Sequence, residues 1–148
     1  MNAATAIANL LYLYAERIDA GDLDGAAELF RRAEIDVLDR GHPVGHVELR
    51  AIWRTHVRLY PCGTPRTRHI VSNPIIDISA NGNEASCRSS YVVLQAAEGL
   101  ALQPIAAGRY HDRFARDAEG WYFTYRDYRM LDLVGDISAH LFVRPAID

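Results

Sequence analysis

The sequence has no lysine, only two cysteines and no apolar run long enough to cross a bilayer. All 16 basic residues are arginines, and against 19 acidic residues they leave a net charge of −3. They are scattered, with Arg31 and Arg32 the one adjacent pair. Nucleic-acid binding needs a concentrated positive footprint, so that class of partner is excluded. Cys62 and Cys87 lack the C-x-x-C spacing of a zinc knuckle or thioredoxin-type site, and two lone thiols suit a reducing cytoplasm. The longest apolar stretch, Ala6 to Ala15, is broken by Asn9 and falls far short of the ~20 residues of a membrane span. No positive charge precedes it, and Glu16 and Arg17 follow where a leader would be cleaved, so it reads as neither span nor leader. Nucleophile elbow, phosphate loop, H-E-x-x-H and G-x-G-x-x-G motifs are all missing. An enzyme made from this chain would work by proton transfer in a pocket, with no cofactor and no metal.

What is present suffices for one core. The chain has 148 residues, of which 49% are apolar. A domain of that length buries roughly 68–70% of its unfolded surface, so one domain over residues 1–148 is expected. Ile7, Leu10, Leu11, Tyr14 and Ile18 recur at helical steps and predict a helix from about Ala3 to Ala20, ended by Gly21. Asp22 reads as the N-cap of a short helix, Leu23 to about Arg32. A short strand, Glu34 to Asp39, and a third helix, Val47 to Tyr60, follow. From Arg66 the period changes to two, with His69, Val71, Asn73 and Ile75 alternating against Arg68, Ile70 and Ser72 up to Ile78. Asn81-Gly82 is a strong hairpin turn. Strands Glu84–Ala96, Leu102–Arg116 and Trp121–Leu133 complete an antiparallel meander. Three helices followed by a curved antiparallel sheet give an α+β class, a cone with a pocket closed by the helices.

Two residues stand out inside that frame. Asp19 lies at the edge of the first helix's apolar stripe, near Ala8, Tyr12, Ala15 and Ile18. It is also an anion near a helix C-terminus, which is electrostatically unfavourable unless a partner compensates. His69 alternates with apolar residues, so its ring points into the sheet's apolar side. Imidazole titrates near neutral pH and suits proton transfer. If Asp19 accepts from one ring nitrogen, the other is left as a base of fixed tautomer. The remaining histidines carry less: His42 and His46 flank Pro43 and Gly45, His56 belongs to a helix face, and His140 lies near the tail.

Gly108-Arg109-Tyr110-His111-Asp112-Arg113-Phe114, then Arg116, Gly120-Trp121 and Arg126, resemble the closing hairpin of SnoaL-like proteins of the nuclear transport factor 2-like superfamily. Tyr14-x4-Asp19-x-Gly21-Asp22 with Leu29-Phe30 resembles its first helices, and Arg68-His69-x3-Asn73 its first long strand. The resemblance covers nearly the whole chain and implies a cystatin-like curved sheet. Within the superfamily the likeness is greatest to lyases of the bile acid 7α-dehydratase, hexachlorocyclohexane dehydrochlorinase and scytalone dehydratase types, which pair a helix aspartate with a strand histidine. It implies that Asp19 and His69 form that pair, with Tyr14 donating to a substrate oxygen and Arg126 steadying charge there. Tyr91, Asn73, Tyr12 and His111 are further candidate pocket residues. Tyr14 as plain core, and Arg126 paired with Asp112 or Asp127 as scaffolding, are the alternatives.

The resemblance implies a dehydratase of a small hydrophobic ring compound. An isomerase or aldol-type cyclase using the same pair is the first alternative. A non-catalytic subunit resembling the small subunit of ring-hydroxylating dioxygenases is the second. Apolar residues on the sheet's outer face predict a homodimer or homotrimer.

Overall fold

The computed structural model describes residues 1–143. Helix α1, Ala3–Asp19, begins at Asn2, whose side chain accepts a hydrogen bond from the Thr5 amide at 2.8 Å. It buries Ile7, Leu11, Tyr14, Ala15 and Ile18. The following turn needs glycine: Gly21 has φ +79°, and a Cβ there would collide with the Gly63 carbonyl oxygen at 1.9 Å. Helix α2, Leu23–Glu28, starts from Asp22, whose carboxylate accepts from the Gly25 amide. It is shorter than the residue pattern predicts, because the chain turns there to bury Phe30.

Strand β1 is Glu34–Asp36 and helix α3 is His46–His56. The predicted extension of α3 to Tyr60 does not form. Val57 is extended and bridges Leu141 instead. Strands β2 (Thr67–Ile78), β3 (Glu84–Ala97), β4 (Leu100–Asp117), β5 (Gly120–Asp127) and β6 (Leu131–Val134) follow. The sheet order is β1-β5-β4-β3-β2, with β6 also on β4. It is a mixed sheet: β1 runs parallel to β5, and the other pairs are antiparallel. A three-residue strand carries no alternation from which its direction could be read.

Two departures from the predicted strands shape the site. In β2 the register shifts between Ser72 and Ile75, with Asn73 at φ +53°. The shift reverses the alternation, so Ile76 packs on the core while Asn73 and Ile75 are exposed. Pro74 at this point sits on the edge strand, where a missing amide is tolerated. In the predicted last strand, residues 128–130 leave the sheet and split it into β5 and β6, which pair with successive halves of β4.

Candidate active site

The end of α1 meets the start of β2. Asp19, the last residue of α1, accepts three hydrogen bonds from β2: from the Thr67 hydroxyl at 2.9 Å, the His69 amide at 2.8 Å and His69 Nδ1 at 2.6 Å. These donors supply the compensation that an anion at a helix C-terminus requires. The two side chains are 12% and 5% exposed, so the contact is largely shielded from bulk water. With Nδ1–H donated to the carboxylate, Nε2 is the ring's lone-pair nitrogen, and it has no protein partner among the described residues.

His69 opens onto a cavity of about 280 Å³. The sheet contributes Tyr91, Val93, Ala106 and Tyr110; α3 contributes Leu49, Ile52, Trp53 and His56; the segment after β6 contributes Ile137, His140 and Leu141. Register explains the sheet wall, since His69, Val93 and Ala106 stand level across β2, β3 and β4. Tyr128, turned out of the sheet between β5 and β6, closes the wall. The rings of Tyr91, Tyr110 and Tyr128 stack, with centroids 4.4 Å and 5.8 Å apart. Gly108, level with Tyr91, makes room for this: a Cβ there would lie 2.6 Å from the Tyr91 hydroxyl and 2.2 Å from the Met130 carbonyl oxygen.

The last wall is stitched on by tertiary hydrogen bonds. The Phe142 amide donates to the His56 carbonyl and the Arg58 amide to the His140 carbonyl, both at 2.8 Å. The Arg58 side chain reaches the Ser138 carbonyl, and those of Gln95 and Tyr60 reach the Ala139 carbonyl. Burial, with the neighbouring His69 as a smaller contribution, pushes the His140 imidazole down to about 4. His140 Nδ1 is buried without a hydrogen-bond partner among the described residues.

The other predicted site residues lie elsewhere. Tyr14 is buried behind the tyrosine wall; its hydroxyl is 2.7 Å from that of Tyr128, and its ring stands edge-on to His69 with centroids 6.3 Å apart. Burial first, then the neighbouring tyrosines, push its pKa well above the ordinary phenol value. Arg126 does not line the cavity. It is sealed in the core, donating twice to Asp112 at 2.8 and 3.1 Å, with Tyr110 3.9 Å and Tyr14 4.5 Å from the guanidinium carbon. Burial works to lower Arg126, but the Asp112 charge and its two hydrogen bonds overcome it and hold the guanidinium above its ordinary value. Asp127, the other candidate partner, pairs with Arg129.

Three more candidates are placed away from the cavity. Tyr12 is 45% exposed, because the helix face that carries Asp19 at its end is turned to solvent about two turns earlier. Asn73 is the exposed residue of the β2 register shift. His111 stands on β4 between Arg88 and Asp127. Tyr91 alone of the four secondary candidates reaches the cavity. Sequence reasoning missed Tyr110, although it lies in the quoted Gly108–Phe114 motif. It also missed Tyr128, two residues after Arg126, and His140, for which no periodicity gives a signal.

The fold has known counterparts. No curated protein matches the chain significantly. Among solved structures it is similar to a nuclear transport factor 2-like protein with a cystatin-like fold from Novosphingobium aromaticivorans, at 20% identity over 93% of this chain and 86% of that one, with a TM-score of 0.70. A protein of the same organism provisionally named a scytalone dehydratase matches at 21% identity over 97% and 90% of the two chains, with a TM-score of 0.70. The β subunit of a protein provisionally named an aromatic-ring-hydroxylating dioxygenase, also from that organism, matches at 20% identity over 92% and 94%, with a TM-score of 0.65. At these identities the likeness establishes a shared fold. Residues 1–127 match the family model described as a SnoaL-like domain, and the chain belongs to that family.

Proposed function

We propose that this chain is a cofactor-independent lyase that dehydrates an uncharged hydrophobic ring compound of polyketide, steroid or aromatic type. The reading rests on one observation: the Asp19–His69 pair presents a free imidazole nitrogen to an apolar cavity. His69 Nε2 removes a proton from the carbon next to the substrate carbonyl, and the Asp19 carboxylate faces the imidazolium that results. The Tyr128 hydroxyl donates to the carbonyl oxygen as charge gathers there, with Tyr14 holding that hydroxyl from behind. The enolate then expels the neighbouring hydroxyl, which takes the proton from His69 and leaves as water. One C–H and one C–O bond break, a C=C bond forms, and no redox partner is needed.

Family membership and similarity to a protein provisionally named a scytalone dehydratase support this class of reaction. A purely structural subunit would leave the free imidazole nitrogen and the open cavity without a purpose. The test is incubation with a cyclic β-hydroxy ketone, 3-hydroxy-1-tetralone, followed by mass. The expected product is lighter by one water, and His69→Ala slows its formation by roughly 10²–10⁴-fold while circular dichroism stays unchanged. A product of unchanged mass assigns the same base to an isomerase or aldol-type cyclase. Undiminished turnover in folded His69→Ala sinks the mechanism.

The proposal extends to a cytoplasmic, self-associating protein. Ile70, Val92, Ala107 and Leu133 stand level across β2, β3, β4 and β6, with Ile70 and Leu133 exposed. Such an apolar row supports a homodimer or homotrimer.

A further inference from the structure

Among the described residues nothing hydrogen-bonds the His140 side chain. Its backbone is fully engaged, the amide donating to the Ile137 carbonyl at 3.0 Å and the carbonyl accepting from the Arg58 amide at 2.8 Å. The ring is different. It is buried, it lines the cavity, and its Nδ1 has no hydrogen-bond partner among the described residues. Leaving a buried polar atom unpaired costs roughly 1–3 kcal/mol, and buried polar atoms in folded proteins are almost always paired. An apolar residue of similar size would fill the same wall without that cost. The missing partner is supplied if it arrives with the ligand.

The position of the ring says what that partner is. The His140 and His69 rings stand edge to face on the same side of the cavity, with centroids 6.2 Å apart and planes at 70°. Neither nearby arginine is free: Arg126 is spent on Asp112 behind the tyrosine wall, and Arg40, an exposed residue of the lining, lies 3.8 Å from Glu48. The anion Asp19 stands behind His69. A carboxylate or phosphate on this side would meet Asp19 without a cation to offset it, whereas a hydroxyl or carbonyl meets only hydrogen-bonding groups.

We propose that the His140 ring binds an uncharged oxygen, a hydroxyl or carbonyl, of the ring compound that fills the cavity. Burial keeps the imidazole neutral at physiological pH, so it serves as a hydrogen-bonding partner and does not compete with His69 for the substrate's proton. Selectivity follows: an uncharged oxygenated bicycle is preferred over its hydrocarbon and over its carboxylate.

This inference rests on the same cavity as the proposed lyase activity, but it is tested by binding, independently of turnover. The probes are 2-naphthol, naphthalene and 2-naphthoate, titrated by calorimetry into the wild-type chain, His140→Leu and His140→Gln. Wild type is expected to bind 2-naphthol about tenfold more tightly than naphthalene, the worth of one good hydrogen bond, and 2-naphthoate most weakly. His140→Leu loses the hydroxyl preference, and His140→Gln, which keeps an amide donor and acceptor, restores part of it. A His140→Leu variant that fails to fold is replaced by ring ¹⁵N spectra of the wild type. There the His140 nitrogens move on saturation with 2-naphthol and not with naphthalene.

Absence of 2-naphthol binding, a hydroxyl preference that survives in His140→Leu, or ¹⁵N signals indifferent to the hydroxyl each overturn the assignment. A cavity that binds 2-naphthol as described but never dehydrates a β-hydroxy ketone leaves this inference standing and removes the lyase reading.

Discussion

Among the described residues, two carboxylate–base pairs shielded from solvent, Asp19–His69 and Asp112–Arg126, sit in opposite surroundings. Both rest on short hydrogen bonds, 2.6 Å in the first and 2.8 Å in the second. The first joins a helix end to an edge strand and leaves one ring nitrogen toward a cavity. The second joins neighbouring strands β4 and β5 at one register position and is walled in by Tyr14, Tyr110, Phe30 and Phe123. The inner pair has no route to a ligand, whereas the outer one leaves a free nitrogen at a cavity wall, and the proposed function rests on that difference. Residue type alone does not separate the two.

The sharpest way to break this comparison is a crossed pair of substitutions. His69→Ala should lower turnover by roughly 10²–10⁴-fold with little change in urea denaturation. Asp112→Asn should cost about 3–5 kcal/mol in the same denaturation, because it strands a buried guanidinium. If Asp112→Asn leaves stability intact, the inner pair is not scaffolding.

The open end carries a second signature, in pH. The folded state holds His140 near 4, against an ordinary value of 6.5. The unfolded chain therefore binds the proton first, and stability falls as pH drops from 6.5 to 4. The loss attributable to this ring is up to about 3 kcal/mol, and His140→Gln should flatten that part of the curve. Identical pH curves for the two proteins would show that the ring is hydrated in the folded state.

Gly108→Ala is expected to have a smaller effect. The added methyl displaces either the Tyr91 ring or the Met130 carbonyl, for about 1–3 kcal/mol of stability, and weakens 2-naphthol binding more than it weakens the inner pair. Tyr14→Phe should have the least effect, about 1 kcal/mol. It removes the hydroxyl bound to Tyr128 while leaving the ring between the two pairs. A fall in turnover of more than a few fold would show that Tyr128 depends on Tyr14 for its position.

The helix–strand order and the hairpin at Asn81-Gly82 were legible because each rests on local chemistry, periodicity and a turn preference, whereas the pairing of Asp19 with His69 was implied by the resemblance to the lyases, with the uncompensated charge of Asp19 as its local sign. The β2 register shift was also written locally, in Pro74, but strict alternation carried through it puts Asn73 and Ile75 on the wrong face. Arg126 illustrates a different limit. Its residue type fits an oxyanion-stabilising role and a core ion pair equally, and only the three-dimensional position of Asp112 decides. His140 was illegible for a third reason. Its segment has no repeat and is held by backbone hydrogen bonds to residues some eighty positions away in sequence, such as Phe142 to His56 and Arg58 to His140.

The chain has two tryptophans, and they sit in different surroundings. Trp53 lines the cavity with Tyr128 beside it at 6.5 Å, whereas Trp121 lies near the β4–β5 turn, outside the lining. Any guest that enters therefore changes the emission of one indole and leaves the other as an internal reference. In a Trp121→Phe background the protein would report its own occupancy by fluorescence, so libraries of small molecules can be screened optically with no label attached and no reaction assumed.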